Sequence, residues 1–227
     1  FKRGARQIAG EAPLRENLAA GILKLSGWTP DLPLLDPMCG SGTFLIEALQ
    51  IALGIPPGAR RNFAFEKLRS FDDVGWSRIK AAAQARPAPN PSPAIFGSDL
   101  YGEALKLARV NLAAAGFADA VSLNQANMLE ISAPASEGVL VANPPYGVRT
   151  GEQDDLASFY PQMGDALKKK FAGWRAYLFT ADMRLPKLIG LSPSKRTPLY
   201  NGALECRLYE FKMISGAMRR EKSGARH

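Results

Sequence analysis

The 227-residue chain predicts an α/β fold, a mostly parallel sheet finished by an antiparallel hairpin, and three stretches carry that expectation. The apolar run Gly138-Val139-Leu140-Val141-Ala142 leads directly into Asn143-Pro144-Pro145-Tyr146. Pro33-Leu34-Leu35-Asp36 passes through a glycine-containing turn into the helical stretch beginning at Thr43. Arg196–Tyr200 and Leu204–Phe211 flank Asn201-Gly202, a dipeptide suited to a tight hairpin. Strand, glycine turn and helix in succession mark a parallel unit, and the closing hairpin marks an antiparallel one.

The remaining elements follow in order. Ala12–Leu23 has helical apolar spacing around Pro13, a residue suited to a first helical turn. Leu34–Asp36 gives the first strand, and residues 43–53 give its helix, stopped by Gly54 and Pro56-Pro57. A doubly wound unit would reach its second strand soon after. Instead residues 55–93 intervene, holding Phe63, Phe65, Phe71 and Trp76, a helical run at 79–85 and a proline-rich stretch. Aromatics at that density predict an insertion with its own apolar cluster rather than a flexible linker. Strands are expected at 94–100, 121–129, 138–142 and 175–180, with helices at 103–112 and 156–171. With the hairpin, the sheet has seven strands.

A 46% hydrophobic fraction and this length fit one sizeable domain. Neither a membrane-span pattern nor a signal-peptide pattern is present in the sequence. Cys39 and Cys206 lie in unrelated elements without metal-ligand spacing, so no metal is expected and a reducing cytoplasm fits best. The formal charge of +8 favours a polyanionic partner. Cations gather at Lys2, Arg3 and Arg6, at Lys168-Lys169-Lys170, at Lys195-Arg196, and at Arg219, Arg220, Lys222 and Arg226. A solvated helix face explains the triple lysine as well as RNA does. The start at Phe1 and the basic lead behind it suggest a segment of a longer polypeptide.

The chemistry concentrates at strand ends. Two successive prolines remove two backbone donors, so the turn at 143–146 exposes carbonyl oxygens that no local N–H quenches. The amine of a planar ring is a poor nucleophile until its hydrogens are held by acceptors while an electrophile is aligned. The Asn143 oxygen and the Pro144 carbonyl are suited to hold them, and Tyr146 is suited to stack on the ring. Gly40 and Gly42 let a ligand press against bare backbone at a helix N-terminus. The loop lacks both the G-x-G-x-x-G spacing and a G-K-[ST] ending, so dinucleotides and nucleoside triphosphates rank low. Asp99, at the end of the second strand, suits the two hydroxyls of a ribose, with Leu100 against the adjoining ring. An N-cap role for Asp99 is compatible with this. Cysteine-histidine chemistry at Cys39 is disfavoured because the single histidine is His227.

The tetrapeptide Asn143–Tyr146 resembles motif IV, and Asp36-Pro37-Met38-Cys39-Gly40-Ser41-Gly42-Thr43 resembles motif I, of class I methyltransferases that use S-adenosylmethionine. With Lys2-Arg3-Gly4, the 12–20 helix and the Leu199–Cys206 hairpin, the chain resembles the THUMP-associated RNA methyltransferases. Within them it is most similar to bacterial enzymes acting on guanine N2 of large-subunit ribosomal RNA, often named adenine-specific DNA methylases.

That resemblance implies a Rossmann-like class I methyltransferase fold, with residues 1–227 as the catalytic domain. It further implies S-adenosylmethionine as cofactor and an N-terminal THUMP-type region, outside this chain, that delivers RNA. Asn143, Pro144, Pro145 and Tyr146 become the catalytic turn. The cofactor falls to Pro13, to Asp36, Pro37, Met38, Cys39, Gly40, Ser41, Gly42 and Thr43, to Asp99 and Leu100, to Asn127 and Met128 at the adenine edge, and to Asn143. Many relatives carry an aspartate where Asn127 stands; an amide also accepts from an adenine amino group. Transfer RNA guanine-N2 methylation, DNA adenine-N6 methylation and a non-catalytic binding module remain open alternatives.

Overall fold

Each parallel strand of this protein ends at the same edge of one sheet, and that edge collects the polar residues singled out above. The structure, a computed structural model, describes residues 14–59, 61–86, 88–145 and 152–214, with residues 152–156 described by their backbone alone. In chain order the elements are α1 (Glu16–Leu25), β1 (Leu34–Asp36), α2 (Thr43–Ala52), α3 (Asp73–Gln84), β2 (Ile95–Asp99), α4 (Gly102–Ala114) and β3 (Ser122–Gln125). They continue as β4 (Gly138–Ala142), α5 (Glu152–Lys170), β5 (Trp174–Thr180), α6 (Leu185–Leu188), β6 (Lys195–Asn201) and β7 (Leu204–Lys212). A 3-10 turn occupies Ala64–Lys67.

The sheet order is β3-β2-β1-β4-β5-β7-β6. β7 lies antiparallel between β5 and β6, and the pairs among β1 to β5 are parallel. This is the expected Rossmann-like methyltransferase sheet with its closing hairpin. Register places Asp36 beside Gly97 and Asp99 beside Gln125.

Two apolar layers sandwich the sheet, and β4 shows how the sequence builds them. Val139 and Val141 join the layer holding Ile22, Leu45, Leu49 and Leu105, while Leu140 and Ala142 join the layer holding Tyr160, Met163 and Leu167. A strand covered on both faces reads as a continuous apolar run, which is the pattern of Gly138–Ala142. Helix α2 is buried nearly all round between the sheet and α1, so truncating fully buried Leu45 or Leu49 to alanine costs about 2–5 kcal/mol.

Several boundaries differ from the sequence reading. Helix α1 starts at Glu16, with Leu14 and Arg15 outside it, instead of at Ala12. The third strand stops at Gln125, leaving Asn127 and Met128 in the following turn. The hairpin pairs Asn201 with Leu204, so its two-residue turn is Gly202-Ala203, and the positive φ of 72° falls on Gly202. Helix α3 begins six residues earlier than the 79–85 run, because Asp72 caps it by accepting the Gly75 N–H at 2.9 Å. Within residues 55–93, Phe65 lies 5.3 Å from Phe63 and 5.0 Å from Trp76, and 6.0 Å from Phe71, ring centre to ring centre. No described helix is long and apolar enough to cross a membrane.

Candidate functional site

Asn127, Asp99, Asp36 and Asn143 follow or end four adjacent strands, in the spatial order β3-β2-β1-β4. At about 4.8 Å per strand spacing the row spans roughly 14 Å, the length of an extended nucleoside carrying an amino-acid chain. The chain turns outward in both directions from β1, and a crevice at that reversal is where open α/β sheets hold ligands.

The loop from Pro37 to Gly42 is tied down from two sides. Cys39 N–H donates to the Ser98 carbonyl and Gly40 N–H donates to Asp99 Oδ2, both at 2.9 Å. Asn111, fully buried on α4, donates its side-chain N–H to the Ser41 carbonyl at 3.0 Å. Gly40 and Gly42 have φ of 52° and 83°, values that favour glycine. A Cβ on Gly40 would meet no atom within 4 Å, so the space beside it is open, whereas one on Gly42 would lie in contact with Ala108 at 3.4 Å. Thr43 opens α2 directly behind.

Asp99 is 8% exposed, and its Oδ1 accepts the Tyr101 N–H at 3.0 Å. A carboxylate offers about four acceptor positions, so two backbone donors leave room for two hydroxyls. Leu100 beside it is half exposed and offers an apolar face. Asp36 is 2% exposed and accepts the Met38 N–H at 3.2 Å. Burial, and then the neighbouring Asp99 carboxylate, push its carboxyl well above the usual range, against the lowering effect of that N–H. The Cys39 thiol is also pushed far up by burial and by Asp36 and Asp99, and so stays protonated.

Asn127 Oδ1 accepts the Leu129 N–H at 3.0 Å, which shapes the turn holding Met128. Its amide keeps a second lone pair and two donors. Lys170, the last residue of α5, donates to the Leu129 and Glu130 carbonyls at 2.9 and 2.8 Å. The triple lysine is thus divided, since Lys168 pairs with Asp165 on the surface and Lys170 turns inward.

At the end of β4 the buried Asn143 Oδ1 has no hydrogen-bond partner among the described residues. Pro144 is buried and Pro145 exposed. Tyr160 Oη, on fully buried Tyr160 of α5, donates to the Pro145 carbonyl at 3.5 Å. Burial raises that phenol to about 12, so it remains a donor. Pro13, Tyr146, the basic lead and the cations beyond residue 214 lie outside the described residues.

Sequence reasoning missed Asn111, Tyr160 and Lys170. Asn111 carried a signal, a polar residue on the same helical face as Leu105, Ala108 and Leu112. Tyr160 shares a face with Met163 and Leu167, which reads only as core.

The sequence profile of the RMKL-like methyltransferase domain (UPF0020) matches residues 3–210. The chain belongs to that family. It is 41% identical over 213 residues to slr0064 of Synechocystis sp., covering 93% of this chain and 56% of that protein. It is 41% identical over 225 residues to the ribosomal RNA large subunit methyltransferase K/L of Shewanella oneidensis, covering 97% of this chain and 32% of that one. The crystal structure of SMU.472, complexed with S-adenosylhomocysteine, superposes with a TM-score of 0.86 at 37% identity, covering 93% of this chain and 55% of that one. This methyltransferase domain therefore spans between a third and somewhat over half of the length of these relatives.

Proposed function

We propose that this domain transfers a methyl group from S-adenosylmethionine to the exocyclic amine of a nucleobase in RNA, with guanine N2 of large-subunit (23S) ribosomal RNA as the target. The observation that carries the reading is the buried, unpartnered Asn143 Oδ1 next to a turn rich in carbonyls. A buried acceptor without a donor costs roughly 1–3 kcal/mol, a cost offset when a substrate N–H arrives. The S-adenosylhomocysteine held by SMU.472 and the ribosomal RNA named for the K/L relative support the cofactor and the substrate class. The excess of cations supports an RNA partner.

The residues present fit the cofactor. Open space beside Gly40 suits its close approach; the Asp36 carboxyl would hold the methionine end, Asp99 the ribose, Leu100 the ring, and Asn127 with Met128 the adenine edge. When bound, S-adenosylmethionine supplies an electrophilic methyl group. Asn143 Oδ1 accepts one amine hydrogen and the Pro144 carbonyl the other, which turns the nitrogen lone pair toward the reaction partner and stabilises the positive charge that builds on it. Tyr146 stacks on the unstacked base. No strong general base is required, because the amine keeps its proton until the methyl group has arrived, and the positively charged nitrogen is then acidic enough to release it to solvent water. The domain works in a reducing cytoplasm, in keeping with the free, buried thiols of Cys39 and Cys206, joined in the native chain to a THUMP-type region.

Mass-spectrometric nucleoside analysis of unmodified ribosomal RNA after incubation with the protein and S-adenosylmethionine tests this. N2-methylguanosine is expected. N6-methyladenosine would move the target to adenine, and absence of any methylated nucleoside with the longer native chain would reject the proposal.

A further inference from the structure

The segment between α2 and β2 is attached at the sheet edge where the parallel strands begin. Asn90 N–H donates to the Ala52 carbonyl and its side-chain amide donates to the Pro30 carbonyl, both at 2.9 Å. Asp36, Asp99 and Asn143 lie at the other edge, beyond strands about 15 Å long. Nothing in this segment touches the transfer chemistry.

It nevertheless holds a folded knob with an unusual surface. Helix α3 buries none of its residues. Leu68, Val74 and Ile79 are each more than 60% exposed. Arg61, Lys67, Arg69, Arg78, Lys80 and Arg86 are all exposed. Of its three acids, Glu66 and Asp72 are committed to the backbone, accepting the N–H of Phe63 and of Gly75 at 2.9 Å. The Arg61 guanidinium lies 4.3 Å from the centre of the Phe63 ring, and the Lys80 ammonium 5.6 Å from that of Trp76.

We propose that residues 61–86 form a second RNA-gripping surface, which holds phosphates of a folded RNA at the sheet edge opposite the reaction centre. The inference rests on the RNA reading of the active site. Cations interleaved with exposed apolar and aromatic side chains match a polyanion that also offers bases, whereas protein interfaces are depleted of lysine at their centre. An RNA engaging both edges at once has to pass around the sheet, whose parallel strands alone are about 15 Å long. The knob therefore selects for structured RNA through affinity, leaving the transfer step unchanged.

The test uses an unmodified in vitro transcript of large-subunit ribosomal RNA, binding at several salt concentrations from about 50 mM upward, and steady-state methylation. Lys67→Glu/Arg69→Glu/Arg78→Glu alters exposed side chains that make no ring contact, and Lys24→Glu/Lys106→Glu/Lys212→Glu matches its charge change elsewhere. The knob variant is expected to bind roughly tenfold or more weakly at low salt, with the slope of log K against log salt reduced by about 2 to 3. Its KM for RNA rises while kcat at saturating RNA and cofactor affinity stay unchanged. The triple alanine variant at the same positions shows the same slope change if charge reversal harms folding. Unchanged RNA binding in the knob variant, the outcome expected if a protein domain covers this face, overturns the proposal, as does an equal loss in the control. A wild-type protein that neither binds nor methylates RNA removes the RNA reading and this inference together; one that does both, beside an equally competent knob variant, removes this inference alone.

Discussion

Asp99 closes the glycine loop by accepting the Gly40 N–H at 2.9 Å, so the carboxylate proposed to meet the ribose also shapes the loop. Its other oxygen holds the Tyr101 N–H at the start of α4. The N-cap role expected of Asp99 is not the one it takes: Tyr101 is the N-cap of α4 and no side chain caps it, while Asp99 accepts the Tyr101 N–H from two residues before.

Asp99→Ala is expected to weaken S-adenosylmethionine binding by about 1–3 kcal/mol, the scale of a hydrogen bond to a charged group. Asp99→Asn keeps an acceptor for Gly40 and should lose less. Titration calorimetry on folded variants measures both, and an unchanged affinity in Asp99→Ala would refute the assignment.

Asn143→Ala removes an acceptor with no partner in the free protein, so its melting temperature should not fall. The methylation rate should drop by on the order of a hundredfold or more, with cofactor affinity nearly unchanged, because the lost contact belongs mainly to the transition state. Single-turnover assays separate the two. Tyr146→Phe should retain most activity and Tyr146→Ala little, if the ring face is what positions the base.

Asp36 gives a pH signature. Burial holds its folded carboxyl well above the ordinary carboxylate range, so the native state holds the proton more tightly than the unfolded chain. The resulting cost is absent below about pH 4 and grows as pH rises through the folded value. Asp36→Asn should accordingly match wild type in acid and melt at a higher temperature near neutral pH. Cofactor affinity should move the other way, since a cationic ligand favours the carboxylate and is lost with it. Melting curves across pH showing no growing difference would contradict this.

Lys170→Met should weaken cofactor binding through the 127–131 turn while kcat at saturation is kept, and Lys170→Arg should restore part of it. The two carbonyls that Lys170 holds, on Leu129 and Glu130, flank the expected adenine edge. Proteolysis or hydrogen exchange localised to that turn distinguishes this role from a general loss of stability. Equal cofactor affinity in Lys170→Met and wild type would show that the turn holds its shape without the brace.

Local chemistry determined much of this protein from its sequence alone. Leu34–Asp36 and Gly138–Ala142 were legible to the residue because strands buried on both faces read as continuous apolar runs bounded by turn residues. The glycine loop and the Asn-Pro-Pro turn were legible because positive φ and missing backbone donors are written in the residue types themselves. Tertiary structure alone decided the rest. β7 lies between β5 and β6 because it pairs with both, which a period-of-two pattern does not encode. That Asp99 holds Gly40, that Asn111 holds Ser41 and that Lys170 reaches back 41 residues to Leu129 depends on contacts between distant segments. A side chain's donors and acceptors are fixed by its identity, but which of them are already satisfied, and so which remain for a ligand, is fixed only once the fold brings their partners within hydrogen-bond distance.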